Sequence, residues 1–360
     1  MSNDLDVSHR RGRRHRLGIG AALLASLMAG AALAEAPLPS PIPTTISSQA
    51  QAGLARLAQM RQHAPAMARP GPDDVAGWAP LQEHYLKMVA PMNRMVLEHL
   101  AYTQAARVIA GVPVLEVTPA NWQDNGSILV YVHGGAYVFG SAASALPAAV
   151  LAANATRMRV VSIDYTLAPK GKWHAVTDQV VNVMRGLQGE GHPLRSMAIF
   201  GDSAGAGLAA GAVLKMRDQG FGMPAAAVLW SPWSDVSESG DTLATLKEVD
   251  FLSLKDLSAS ALAYAGAADQ KNGYVSPVYG DYSKGFPPTL IQGGTREILL
   301  SGFIRHYQAI DSAGQIVKLD LYEGMPHVFQ AILANTPESM LALAKMNRHL
   351  KQYLHVDAGS

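Results

Sequence analysis

Hydrophobic and polar positions follow two different periods along this chain. From residue 112 onward, short runs rich in β-branched residues alternate with stretches that have the spacing of an amphipathic helix. The runs that predict strands are Pro113–Val117, Ser127–His133, Arg159–Asp164, Met197–Phe200, Ala226–Ser231, Thr289–Gln292 and Val317–Tyr322. The helical stretches between them are Ala145–Ala155, Ala175–Gln188, Ala204–Gln219 and Ser301–Ala313. This alternation predicts an α/β fold with a mostly parallel central sheet that is flanked by helices.

Two other parts of the chain have a helical pattern without strands. Residues 48–105 contain two amphipathic stretches, the second from Leu81 to Tyr102. Residues 237–268 interrupt the alternation of strands and helices with Ala-rich helical sequence. We therefore expect 106–360 to form the α/β domain, and 48–105 to form an accessory helical lobe to which 237–268 add a second piece.

The amino terminus has the pattern of an export signal. Five arginines lie between Arg10 and Arg16, and an uncharged apolar run from Leu17 to Leu33 follows and ends in the A-x-A cleavage pattern at 32–34. This order predicts a secretory signal peptide at 1–34 and an exported protein, periplasmic or secreted. A membrane anchor is the alternative, but the run is short and only mildly apolar, so we expect no stable span after cleavage. Prolines at every second position predict an extended tether over 35–47.

Composition excludes several classes of protein. The 360 residues are only 16% charged and carry a formal net charge of +1, which argues against a nucleic-acid-binding face. The chain has no cysteine, which removes disulfides, thiolate metal sites and a cysteine nucleophile. No pattern in the sequence predicts an oligomeric state.

The sequence Gly201-Asp202-Ser203-Ala204-Gly205 matches G-x-S-x-G directly after a predicted strand and at the start of a predicted helix. A nucleophile elbow needs this strand-to-helix turn, which raises the serine hydroxyl above the sheet and turns the first helical N–H groups toward a developing anion. The same place also carries the dinucleotide pattern G-x-G-x-x-A from Gly205. That alternative needs an acidic residue about 20 positions later, where neither Asp218 nor Asp235 fits. The pattern therefore favours Ser203 as a nucleophile.

A second motif, His133-Gly134-Gly135, follows the apolar strand that ends at Val132. Glycines at this place let the backbone turn its N–H groups inward, opposite the elbow, where they can bind an oxyanion. If Ser203 were absent, an ordinary Gly-Gly turn would be the better interpretation of this motif. We expect His133 to brace this loop and not to act as the base.

In hydrolases with a nucleophile elbow of this kind, the serine comes first along the chain, the acid second and the histidine last, so we look for the acid and the base after Ser203. His327 follows the last predicted strand through a loop with Gly324 and Pro326, which suits a base on a loop. Glu297 follows the preceding strand and can orient the imidazole. We assign solvated positions to the remaining candidates, which are the histidines at 306, 349 and 355 and the acids at 311, 320 and 323.

Six segments together resemble a known family. They are HGGAYVFG at 133–140, DYTLAP at 164–169, GDSAG at 201–205, SPWSD at 231–235, GGTREILL at 293–300 and GMPHVF at 324–329. In this order and spacing they are similar to the hormone-sensitive-lipase-like carboxylesterases, the bacterial family IV branch of the α/β-hydrolases. The resemblance covers about Val112 to the carboxyl terminus and implies an α/β-hydrolase fold with a helical cap formed by 48–105 and part of 237–268.

The resemblance also implies roles for individual residues. Ser203 matches the nucleophile, His327 the base, and Glu297 the acid, which is more often Asp in the family. The oxyanion N–H groups would come from three residues, Gly134, Gly135 and Ala204. Two departures are Ala136 in place of the third glycine after His133, and the sequence Lys170–His174 where the family usually has an acid and prolines.

These observations predict a serine hydrolase that cleaves carboxylic esters of short to medium acyl chains, with no metal or organic cofactor and a small ester as its partner. A lactonase, amidase or acyltransferase with the same triad is an open alternative. A non-catalytic ligand-binding protein on the same fold is another, against which the intact set of Ser203, Glu297 and His327 argues.

Overall fold

An eight-stranded sheet forms the centre of the computed structural model, which describes residues 41–62 and 69–354. Its strands are β1 Tyr102–Ile109, β2 Val112–Pro119, β3 Ile128–Val132, β4 Arg159–Ile163, β5 Met197–Asp202, β6 Ala226–Trp230, β7 Thr289–Gly294 and β8 Val317–Tyr322. Their order across the sheet is β1-β2-β4-β3-β5-β6-β7-β8. Only the pairs β1–β2 and β2–β4 are antiparallel among these strands. The sheet is therefore mostly parallel, as the sequence predicts.

Helices cover both faces of this sheet. In the described part of the chain they are α1 Ser48–Gln62, α2 Val75–Leu97, α3 Leu146–Thr156, α4 Trp173–Gly189, α5 Ala204–Asp218, α6 Thr242–Thr245, α7 Leu254–Ala265, α8 Leu300–Ser312, α9 Phe329–Ile332 and α10 Pro337–Tyr353. Successive residues of β3 point to opposite faces, so Val130 belongs to the apolar cluster that includes residues of α4 and α5, and Leu129 to the cluster that includes residues of α3 and α10. Strands β3, β6 and β7 are buried along their whole length, which explains their continuous apolar runs. The α/β-hydrolase fold class is confirmed.

The first strand corrects the sequence prediction. Residues 102–105 were assigned to the helical region, but β1 begins at Tyr102 and α2 ends at Leu97. A two-residue turn at Ala110 and Gly111, with φ values of 48° and 80°, joins β1 to β2 as a hairpin. Most of β1 is exposed, so its sequence lacks the alternation that identifies a half-buried strand.

The segment before α1 packs against the α/β domain. Ile46 is buried beside Met325 and Phe329, and Pro41 O accepts a hydrogen bond from Arg296 at 3.1 Å. Residues 41–47, the described part of the predicted tether, are therefore held in place and not extended away from the domain. The predicted signal peptide at 1–34 lies outside the described residues. No helix within 41–62 and 69–354 is long and apolar enough to cross a membrane.

Helices α1, α2 and α7 lie against loops at the carboxyl edge of the sheet. Leu54 of α1 belongs to the apolar cluster that includes Met325, two residues before His327. Gln82 of α2 donates to Val138 O at 3.0 Å, in the loop after β3. Tyr264 of α7 stacks on Tyr137 of that loop at 3.7 Å between ring centroids. Residues 48–62, 69–97 and 237–268 thus meet above the same edge.

Candidate active site

Four neighbouring strands bring the predicted catalytic residues to one edge of the sheet. Strands β5, β6, β7 and β8 are adjacent and parallel, so their carboxyl ends lie side by side. Ser203 directly follows β5, Glu297 follows β7, and His327 follows β8. All three side chains are buried. The topology therefore gathers residues that are up to 124 positions apart in the sequence (327 − 203).

Ser203 lies in a strained turn between β5 and α5. Its φ of 54° and ψ of −126° form a conformation that costs a residue with a side chain about 1–3 kcal/mol. Its N–H donates to Trp230 O and its carbonyl accepts from Trp233 N–H, both at 2.9 Å. A Cβ on Gly205 would meet Val132 O at 2.1 Å, so only glycine allows α5 to start this close to β3. These contacts give the elbow that the sequence motif predicts.

Glu297 and His327 form a buried hydrogen-bonded pair. Glu297 Oε2 accepts from His327 Nδ1 at 2.8 Å, and the glutamate side chain is fully buried. The other oxygen, Oε1, accepts from Ser231 Oγ at 2.8 Å and from the N–H of Gly294. With the proton on Nδ1, Nε2 of His327 is left to act as a base.

The surroundings of His327 favour its charged form. Burial alone would lower the pKa of His327, but the hydrogen bond and charge of Glu297, together with the charges of Asp250 and Asp202, outweigh it. The net effect raises the pKa of His327 above its ordinary value. The ring of Phe251 lies edge-on to the imidazole at 6.1 Å between centroids. The site can therefore stabilise the imidazolium that forms when His327 takes a proton.

The loop after β3 corrects one predicted oxyanion donor. The N–H of Gly134 donates to Asp202 Oδ1 at 3.0 Å, so it is already used. Among the described residues, the N–H groups of Gly135, Ala136 and Ala204 have no protein acceptor. Gly135 has a φ of 109° and Ala136 a φ of 53°, which turn this loop sharply. The prediction of Gly134 as a donor is therefore wrong, and Ala136 takes its place beside Gly135 and Ala204 as a group able to donate.

Ser203 and His327 are not joined by a hydrogen bond in the described part of the chain. Catalytic hydrogen bonds are often long or poorly aligned before a substrate is bound. The negative charge of Asp202, which directly precedes the nucleophile, nevertheless acts on His327. The elbow and the base thus lie within electrostatic range of each other.

The residues that the sequence analysis set aside have other roles. His133 is buried, stacks on Tyr165 at 4.2 Å, and its pKa is lowered by burial, which suits a neutral brace for the loop. His306 is buried too, and not solvated as expected: it contacts Ser234 Oγ at 2.8 Å and Tyr282 OH at 2.7 Å. Burial lowers its pKa to about 3. Asp320 is also buried, where it pairs with Lys345. His355 lies outside the described residues.

Three residues around the pair escaped the sequence analysis. Ser231 follows β6 and contacts Glu297, and Asp202 holds the loop after β3. Asp250, from the segment 237–268, is fully buried and accepts the N–H of Ile298 at 2.6 Å, next to Glu297. The sequence signal that could have indicated Ser231 is the SPWSD segment, which begins with it. The signal for Asp202 is its place directly before Ser203 in the G-x-S-x-G motif.

Comparisons with known proteins agree with this fold. Residues 129–331 match the family described as the alpha/beta hydrolase fold. An acetyl-hydrolase from Streptomyces hygroscopicus is 33% identical over 256 residues, which cover 68% of this chain and 85% of that protein. An esterase from Acinetobacter venetianus is 33% identical over 219 residues, covering 60% and 72%. The crystal structure of an esterase from the bacterial hormone-sensitive lipase family superposes with a TM-score of 0.75 at 28% identity, covering 86% and 99%.

This chain belongs to the hormone-sensitive-lipase-like family of α/β-hydrolases. The resemblance that the sequence motifs indicate is thus confirmed, together with the expectation of an ester-hydrolysing enzyme.

The second departure from the family pattern has a clear place in the enzyme. Lys172 Nζ donates to Asp73 Oδ1 at 2.6 Å and to Ala263 O at 2.8 Å. The next residue, Trp173, donates from Nε1 to Asp269 Oδ2 at 2.9 Å. The segment 170–174 therefore connects the α/β domain to the chain before α2 and to α7.

Proposed function

We propose that the enzyme is a carboxylesterase that forms an acyl-enzyme on Ser203. The observation that carries this proposal is the buried Glu297–His327 pair, which lies on the same sheet edge as a strained serine elbow. Glu297 holds His327 in the tautomer that leaves Nε2 free for the serine proton. The unpaired N–H groups of Gly135, Ala136 and Ala204 supply the oxyanion hole.

The reaction has two acyl-transfer steps. His327 takes the proton of Ser203 Oγ while Oγ attacks the ester carbonyl, and the three N–H groups hold the oxyanion. The tetrahedral intermediate collapses, and His327 gives its proton to the leaving alcohol. Water then loses a proton to His327 and attacks the acyl-enzyme, which releases the acid and restores Ser203. Loss of one oxyanion donor costs about 100- to 1,000-fold in turnover.

We propose substrates with short to medium acyl chains. One relative is named an acetyl-hydrolase, and this supports a small acyl group. The segments 48–62, 69–97 and 237–268, which meet above the sheet edge, act as the cap of the substrate pocket. Phe251 brings an apolar ring from the second segment to His327. Hydrolysis of lactones and amides and acyl transfer to alcohols use the same groups, so a second assay with a lactone, an amide and an added alcohol as acceptor distinguishes these reactions from ester hydrolysis.

We also propose that the enzyme is exported and that its leader ends at Ala34. The support is the order of the basic patch, the apolar run and the A-x-A pattern. Mass spectrometry of the protein recovered from the periplasm or the medium tests this directly. A chain that begins at Glu35 is expected, and a full-length chain recovered only from the cytoplasm would refute export.

The experiment for the esterase activity uses a series of p-nitrophenyl esters from acetate to palmitate. We expect hydrolysis of the short esters by the wild type and none above background by Ser203→Ala. A matched control is Ser283→Ala, which removes the hydroxyl of an exposed serine before β7 and leaves the rate unchanged. Folded wild type that hydrolyses no ester in the series, or Ser203→Ala with wild-type activity, would reject the proposal.

A further inference from the structure

Ser231 contacts both the acid and the loop of the base. Its fully buried Oγ donates to Glu297 Oε1 at 2.8 Å and accepts from the N–H of Val328 at 2.9 Å. Val328 directly follows His327 in the chain. A single hydroxyl thus joins the carboxylate to the backbone beside the imidazole.

The backbone holds Ser231 in an unfavourable conformation. Its N–H donates to Gln292 O at 2.6 Å, which continues the pairing of β6 with β7. Its φ is 45°, in the left-handed region that costs a residue with a Cβ roughly 1–2 kcal/mol. Glycine would avoid this cost but would lack the hydroxyl. A serine kept in such a conformation at an active-site edge points to a role for its side chain.

We propose that Ser231 is a positioning residue that holds the Glu297 carboxylate against His327, an inference that rests on the proposed function. The hydroxyl and the Gly294 N–H both bind Oε1, which fixes the plane of the carboxylate and directs Oε2 to Nδ1. Ser231 acts through Glu297 and the loop of the base.

The charges around His327 explain why the position of Glu297 matters. Asp202 from the end of β5 and Asp250 from the segment 237–268 also attract the imidazolium, and Phe251 covers its edge. A carboxylate fixed on Nδ1 keeps Nε2 available for Ser203. When Glu297 is free to turn, its carboxylate is less often hydrogen-bonded to Nδ1, and the productive orientation of the imidazole becomes less populated.

The test compares wild type with Ser231→Ala in the full chain. We expect kcat for a short p-nitrophenyl ester to fall about 10- to 100-fold, as for loss of a hydrogen bond to a charged group, with KM within about 3-fold. The fall of kcat/KM at low pH, here called the acid limb, should move to lower pH, in the same direction as for Glu297→Gln. The reason is that the carboxylate of Glu297 is less often hydrogen-bonded to His327. Wild-type kcat together with a wild-type acid limb would overturn the proposal.

Ser234→Ala is the matched control. Ser234 is buried in the same segment, but its hydroxyl contacts His306 and not the catalytic pair. It should lower the melting temperature without moving the acid limb. Equal losses of kcat in Ser231→Ala and Ser234→Ala would show a general effect of the segment and overturn the proposal.

Two more variants separate the hydroxyl from the backbone. Ser231→Gly relieves the left-handed φ but lacks the hydroxyl, so its kcat should match that of Ser231→Ala. Ser231→Cys keeps the shape and a weak donor, so its kcat should lie between those of Ala and wild type. A glycine variant with wild-type kcat would mean that the hydroxyl is not needed.

The titration of the His327 imidazole by NMR makes the result independent of turnover. His327→Gln identifies the signal, and the signal is then followed in wild type and Ser231→Ala. If the wild type hydrolyses no ester, the proposed function fails, but the titration still decides the role of Ser231. A lower pKa in Ser231→Ala supports positioning, and identical titrations overturn it.

Discussion

At the scale of single residues, the base depends on the charge of its acid. Glu297 gives His327 both a hydrogen bond and a negative charge, and these are the largest of the effects that raise the pKa of His327 against its burial. The imidazole must be neutral to take the proton of Ser203. The value of kcat/KM, which reports ionisations of the enzyme before substrate binds, should therefore fall as the pH drops through the pKa of His327.

Glu297→Gln should separate these effects. Without the carboxylate charge, the pKa of His327 falls, so the acid limb of kcat/KM moves to lower pH. Because Gln can also favour the wrong tautomer, kcat should drop by about 1,000- to 10,000-fold. Asp320→Asn is the control, a buried carboxylate of β8 that pairs with Lys345 instead of His327. An acid limb at the wild-type pH in Glu297→Gln would contradict this account.

The proposed catalytic residues could be predicted from the sequence because each follows a strand in a short loop. Ser203 directly follows β5, and Glu297 and His327 follow β7 and β8 through short loops, which parallel strands place at one edge of the sheet. The role of Gly134 was not predictable, since the local turn decides which N–H of His133-Gly134-Gly135 faces the substrate. Ser231 reaches Glu297 across 66 positions, and no local pattern records such a contact.

At the scale of elements, the sheet was predictable from β2 to β8 but not at its first edge. The buried strands have continuous apolar runs, whereas β1 is exposed over most of its length. Its turn, Ala110-Gly111, also lacks the Asn-Gly or Asp-Gly pair that identifies a two-residue hairpin. The predicted helical stretch Leu81–Tyr102 therefore passes the end of α2 at Leu97 and reaches the first residue of β1.

The hairpin turn offers a stabilising substitution. Ala110 is exposed and has a φ of 48°, a conformation that asparagine tolerates better than alanine. Ala110→Asn should therefore raise the free energy of unfolding by about 0.5–1 kcal/mol without a change in kcat, as measured by urea unfolding. Ala110→Val, with a β-branched side chain at the same φ, should lower it. If the Ala110→Val variant were more stable than the Ala110→Asn variant, the φ of residue 110 would not determine the stability of the hairpin.

At the scale of the whole molecule, charged side chains connect the helical segments to each other and to the α/β domain. Arg69, before α2, pairs with Asp256 of α7 at 2.8 Å. Lys172 reaches both segments from the loop before α4. These pairs are partly exposed, so each contributes at most about 1 kcal/mol. Asp250 differs from them, since it is fully buried where the segment 237–268 meets the turn of Glu297.

The ionisation of Asp250 should make the stability of the whole enzyme depend on pH. Burial raises the pKa of Asp250 to about 6, although His327 and the N–H groups of Leu252 and Ile298 oppose this. In the unfolded chain the same carboxyl ionises near pH 4. Between these two values the folded state keeps the proton and the unfolded state does not, so stability falls as the pH rises through this window.

Asp250→Asn removes this ionisation and isolates its effect. Relative to the variant, the wild-type free energy of unfolding should fall by about 2 kcal/mol from pH 4 to pH 6 and become level only near pH 7 to 7.5. Urea unfolding of both proteins at intervals of half a pH unit measures the difference, and the level region serves as the internal control. A difference that is constant from pH 4 to pH 6 would mean that Asp250 is already ionised in the folded enzyme. Its two backbone hydrogen bonds, and not its burial, would then govern its charge.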